Sequence, residues 1–194
     1  LNSVATGGIL WLSLILVIAF LGELGLPFTS PVLESLLIYT GFRIAGGAFL
    51  VATAPFLATA YVGRLIGSHS AYQMSRRLGL PFLERFGHRL GITPRRVATL
   101  RQRMSGVLTP TIILARFTPG FSVLATIVCG ASRVRRTQFL SAVLAQLVIW
   151  EAAFLGVGAV ARLASRSLAP ESYPRVLIVT ICIAISLGAV AGYV

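Results

Sequence analysis

Residues 106–131 read GVLTPTIILARFTPGFSVLATIVCGA. The stretch is apolar and long enough to cross a bilayer, for which about 20 residues suffice over about 30 Å of hydrocarbon. Yet its middle holds Arg116, Pro119 and Gly120. A continuous helix would leave a guanidinium near mid-bilayer and a proline in the helix interior. The economical reading is a re-entrant hairpin that dips in, turns at Pro119-Gly120 and returns to the same side. Irregular backbone at that depth is tolerated only where protein or a polar cavity satisfies it.

The rest of the chain is read outward from that hairpin. Apolar spans are expected at Gly7–Gly22, Gly46–Ile66, Phe139–Ala161 and Val176–Val194. Residues 24–43 form a second broken stretch, with Pro27, Pro31 and Glu34 inside it. It is read as the first re-entrant hairpin. Residues 76–104 hold eight of the 17 Arg and are read as a cytoplasmic amphipathic segment in the interface. Thr93-Pro94 there is a helix start, N-cap then N1. A solvated hairpin is the alternative for that segment. The expected fold is a single all-α integral membrane domain over residues 1–194. Its unit, a re-entrant helical hairpin followed by a transmembrane helix, occurs twice in inverted orientation, with further transmembrane helices at both ends.

Charge supports that topology. All 17 basic residues are Arg and all five acidic residues are Glu, in a chain of 194 residues that is 56% hydrophobic and 11% charged. Soluble domains carry about 25% charged residues. If both hairpins return to their own sides, eleven Arg face one side and four the other. The Arg-rich side is then cytoplasmic, as are both chain ends. A net charge of +12 is compatible with nucleic acid only on a soluble folded surface, so no nucleic-acid partner is expected. Cys129 and Cys182 lie in apolar runs, and His69 and His88 stand alone. No metal or other cofactor is expected. Nucleophile motifs, phosphate-cradling loops and zinc-hydrolase signatures are missing from the sequence, so the protein is not expected to be an enzyme.

Ionisable groups at membrane depth are costly and therefore functional candidates. They are Glu23, Glu34, Arg64, Arg116 and Glu151. Glu23, Glu34 and Glu151 are candidates for proton coupling, with an interfacial cap or a packing partner as the bland alternative. Arg116 offers a planar fork for phosphate or carboxylate, or pairs with Glu34 as a structural lock. Arg64 is expected to snorkel to the interface.

Four stretches together resemble the DedA family, whose shared region is also called the VTT or SNARE-associated domain. They are ELGLPFTSPVLESLLIYTG (23–41), GSHSAYQMSRRLG (67–79), ARFTPGFSVLATIVCGASRV (115–134) and the span around Trp150. The likeness runs from about Glu23 to Gly158. It implies a lipid flippase or scramblase of the bacterial inner membrane, linked to the proton-motive force. The substrate would be undecaprenyl phosphate or a phospholipid such as phosphatidylethanolamine. The family's functional acids fall near Glu23 and on Glu34, and its first functional Arg on Arg116. Its second Arg falls on Ser122 here, and its Gly-Asp on Gly67-Ser68. On this reading Arg116, Pro119, Gly120 and Ser122 contact the substrate, and a membrane lipid and protons are the partners. An ion or small-solute transporter, a non-transporting membrane-stress scaffold and an intramembrane lipid enzyme are the alternatives. The oligomeric state is left open.

Overall fold

A computed structural model describes residues 2–26, 29–47, 50–86, 108–117, 122–167 and 170–193. Among the described residues the chain is helical throughout. The helices are α1 (Asn2–Glu23), α2 (Thr29–Ala45), α3 (Leu50–Phe86), α4 (Leu108–Phe117), α5 (Ser122–Ala131), α6 (Arg136–Ala164) and α7 (Tyr173–Tyr193), with 3-10 turns at Ser165–Ser167 and Pro170–Ser172.

Each expected span contains a helix. The one over Gly46–Ile66 begins later and runs on: α3 continues to a break at Gly79, where φ is 72° and ψ is −179°. That backbone region is essentially reserved for glycine. Gly79→Ala should therefore cost about 1–3 kcal/mol, read as a lower unfolding midpoint in detergent by circular dichroism. An unchanged midpoint would show that the backbone relaxes there without strain.

The second broken stretch holds two helices, α4 and α5, and its expected turn at Pro119-Gly120 lies outside the described residues. The first breaks only at its start, and no break falls within 29–45. Thr29–Ala45 is one unbroken helix, and the reversal lies earlier, between α1 and α2. Leu26 N–H donates to Leu21 O (3.3 Å) and Gly25 N–H to Gly22 O (3.2 Å), with Gly25 at φ 102°. These are the two bonds of a Schellman cap, which needs a left-handed residue. Pro31 does not break α2 because it sits in the first turn, where its missing N–H would have no partner anyway. The amphipathic segment at 76–104 lies beyond residue 86 outside the described residues.

The helices pack by exchange. α1 lies along α3, and α4 along α6. The second arm of each pair crosses over, so that α2 packs on α6 and α5 packs on α3. Close approach makes this possible. A Cβ on Gly41 would meet Leu155 O, one on Gly158 would meet Ile38 O, and one on Gly130 would meet Tyr72 O. On α3, Gly63 and Gly67 let α1 approach at Leu16 and Phe20 in the same way. Small residues four apart are the usual device for tight helix contact in lipid.

Burial is arranged inside out. Phe139, Ala142, Val143, Gln146, Leu147 and Glu151 form the buried stripe of α6 at helical spacing. With Tyr72, Ile112, Leu124 and Val128 the apolar members of that stripe form the main core. Buried polar residues include Glu23, Arg64, Ser68, Arg116, Thr126, Gln146 and Glu151, whereas Ile9, Leu10, Trp11, Val148, Ile149, Val160, Ile178 and Val179 are exposed. Arg136–Ala164 is long and apolar enough to cross a membrane, and Gly8–Glu23, Ser122–Ala131 and Tyr173–Ser186 are shorter apolar helical stretches.

Candidate functional site

The first arms of the two helical pairs end at one point. Glu23 is the last residue of α1, and Arg116 is the penultimate residue of α4. Their side chains meet, with Arg116 Nη2 donating to Glu23 Oε2 at 2.7 Å. The Arg116 side chain is fully buried. Such a pair is tolerated in a dry interior only if the remaining polar atoms are also satisfied.

They are satisfied by residues from three more helices. The Ser68 hydroxyl of α3 donates to Glu23 Oε2 at 2.5 Å and accepts from Arg116 Nη2 at 3.0 Å. Arg116 Nη1 donates to the Thr126 hydroxyl of α5. Arg116 Nε donates to Gln146 Oε1 of α6 at 3.2 Å. Thr126 in turn donates to the Ser122 carbonyl at 3.0 Å. The guanidinium is thus held at all three nitrogens, and Glu23, Ser68, Thr126 and Gln146 fix its plane.

Glu23 has a second cation. Arg64 Nε stands 3.4 Å from Glu23 Oε1. Arg64 is buried rather than snorkelling to an interface. It lies on α3 one turn before Ser68, on the face that Gly63 and Gly67 bring against α1. Close packing therefore draws it inward. The acid paired with Arg116 is Glu23, not Glu34.

A second polar patch adjoins this one. Arg64 is also within electrostatic reach of Glu34 and Glu151. Tyr61 is near Glu151. The Trp150 indole N–H lies beside the Glu34 carboxyl without meeting hydrogen-bond geometry. Among the described residues Arg64 Nη1, Trp150 Nε1 and Glu151 Oε1 are buried with no hydrogen-bond partner. Phe117 and Phe154 flank the Trp150 ring at centroid distances of 5.7 and 5.2 Å. The contrast is chemical. Around Arg116 donors and acceptors are matched, whereas around Arg64 and Trp150 polar capacity is left over.

Of the expected site residues, Glu23 and Arg116 are in direct contact, and Glu34 and Glu151 lie on the adjoining patch. Ser122 opens α5 and touches the cluster through its carbonyl. Pro119 and Gly120 lie outside the described residues. Ser68, Thr126 and Gln146 join the pair from outside the expected set of site residues. Gln146 carried a signal, as the only side-chain amide in the apolar span 139–161.

No family model matches the chain, and no solved structure matches it. Over 100 residues, 52% of the chain, it is 24% identical to the uncharacterized membrane protein YbfM of Bacillus subtilis (strain 168). The matched stretch covers 62% of that protein, under two thirds of its length. At that identity and coverage the similarity sets the chain beside a membrane protein and assigns no family.

Proposed function

We propose that the protein is a multi-pass integral membrane carrier, not an enzyme, that moves a phosphate-bearing lipid between the leaflets of a bacterial inner membrane. The single observation that carries the reading is the Glu23–Arg116 pair, buried where the two helical pairs meet, inside helices whose outward faces are apolar. Charged groups buried in this way are a liability in a scaffold and a common feature of a pathway. The crossed packing supports reading α1–α3 and α4–α6 as inverted repeats, an architecture in which one unit rocks against the other around a central site.

On this reading Arg116 is the phosphate ligand. At rest its charge is matched by Glu23. A lipid phosphate takes the carboxylate's place on the guanidinium fork, to which both anions are suited. Glu34 and Glu151 take protons as the anion enters, which keeps the buried net charge small. The lipid tails stay in the bilayer, and the substrate is undecaprenyl phosphate or a phospholipid.

The test is leaflet exchange of a labelled undecaprenyl phosphate or phospholipid in sealed proteoliposomes, with and without a pH gradient. Arg116→Ala should slow exchange at least about tenfold, the size expected for losing one buried charge-assisted contact, and Glu34→Gln should slow it by removing a proton carrier. Exchange that is equal in both variants and wild type would refute lipid carriage through this site. Uptake of a water-soluble solute instead would favour a small-solute transporter.

A further inference from the structure

We propose that Arg64 is a second phosphate ligand, so that the lipid phosphate is bridged between Arg64 and Arg116 in the position the Glu23 carboxylate now occupies. The inference rests on the phosphate-lipid reading above and adds a residue and a geometry to it. Glu23 presents one oxygen to each cation: Oε2 to Arg116 at 2.7 Å and Oε1 to Arg64 at 3.4 Å. A carboxylate between two guanidiniums marks a place built for an oxyanion. A phosphate carries the same paired oxygens, with others to spare.

The two cations are not equally committed. Arg116 donates from all three nitrogens. Arg64 touches Glu23 through Nε alone, and its Nη1 is buried and without a partner among the described residues. Arg64 is 7% exposed, so water does not readily supply that partner. A buried donor left unmatched is expensive. The Trp150 indole N–H is also buried and meets no acceptor at hydrogen-bond geometry among the described residues, and it and Arg64 both act on the Glu34 carboxyl. Arg64 Nη1 and Trp150 Nε1 together supply two further donors for phosphate oxygens that Arg116 does not reach.

Charge bookkeeping sets the condition. The groups around this position are Glu23 of α1, Glu34 of α2, Tyr61 and Arg64 of α3, Arg116 of α4 and Glu151 of α6. With all three carboxyls ionised the cluster is net −1 and repels an anion. With Glu34 and Glu151 protonated it is net +1 and attracts one. Phosphate binding through Arg64 therefore takes up protons, and binding strengthens as pH falls.

Trp11 and Trp150 are the two tryptophans, and Trp11 is exposed on α1, so Trp11→Phe leaves Trp150 as the sole reporter. Detergent-solubilised full chain carrying Trp11→Phe is titrated with dibutyryl phosphatidic acid, with dibutyrylglycerol as the control lacking phosphate. The expected result is a saturable change in Trp150 emission with the phosphate lipid alone. Arg64→Gln should weaken it by about tenfold or more, and lowering the pH should strengthen it. Arg64→Lys keeps a charge beside Glu23 but has no Nη1. It should fold even if Arg64→Gln does not, and should also bind more weakly. Wild-type affinity in a folded Arg64→Gln or Arg64→Lys, alongside lost binding in Arg116→Ala, would overturn the second ligand and leave a single-arginine site. Absence of binding to the Trp11→Phe protein at every pH would overturn the phosphate reading itself.

Discussion

Arg116→Ala is expected to destabilise the folded protein by about 3–5 kcal/mol, because removing one member of a buried pair leaves the other uncompensated. The stranded group is Glu23, which keeps Ser68 and Arg64 but loses its 2.7 Å partner. Gln146 and Thr126 lose theirs at the same time. Adding Glu23→Gln should recover part of the loss, since a neutral amide needs no counter-charge. The measurement is reversible unfolding in detergent followed by helical circular dichroism, for both single variants and the double. Additive losses would mean that the two side chains do not act as a pair. The charge-swapped combination Glu23→Arg with Arg116→Glu should not restore stability, because the swap would set a second guanidinium against Arg64. An isolated pair would tolerate that swap, so its failure would identify Arg64 as part of the same cluster.

The second large effect is steric. Gly158→Leu and Gly41→Leu should prevent folding, beyond the roughly 1–3 kcal/mol of ordinary overpacking. The obstacles are the backbone carbonyls of Ile38 and Leu155, which move only if α2 and α6 separate. Gly156 is the control. It lies on α6 two residues from Gly158, and a Cβ there meets nothing within 4 Å. Gly156→Ala should be neutral or stabilising by up to about 1 kcal/mol, the helix-propensity gain. Size-exclusion profiles and thermal midpoints in detergent read all three. Monodisperse, wild-type-like Gly158→Leu would refute direct backbone contact between α2 and α6.

Much of this was legible along the chain because hydrocarbon is an unforgiving solvent for backbone and charge. The positions of the helices over the apolar runs and the burial of Glu23 and Arg116 follow from apolar run length and the cost of buried charge. Pairing was not legible. Glu23 and Glu34 are both plausible partners for Arg116 in one dimension, and only the turn at Gly25 places Glu23 at the tip that meets α4. The snorkelling expected of Arg64 is an argument about depth, while its burial is decided by the close approach of α1 at Gly63 and Gly67. Pro31 lies in the first turn of α2, where a proline starts a helix as well as it ends one. Ser68 and Thr126 carry no signal alone. Short hydroxyl residues are common on helices, and only their convergence on one guanidinium distinguishes them.

The crossed packing bears on how the chain is put together during synthesis. α1 and α3 carry Glu23 and Arg64, so the portion made first holds an acid and a base that can neutralise each other before the later helices exist. That contact can form before Arg116 exists. Arg116 arrives afterwards on a short arm whose own contacts within the later half, Thr126 and Gln146, are neutral. Its charge finds its acid at 2.7 Å only on the portion already waiting there. The ion pair at the centre is therefore also a latch between early and late halves, closing when α5 reaches α3 and α6 reaches α2.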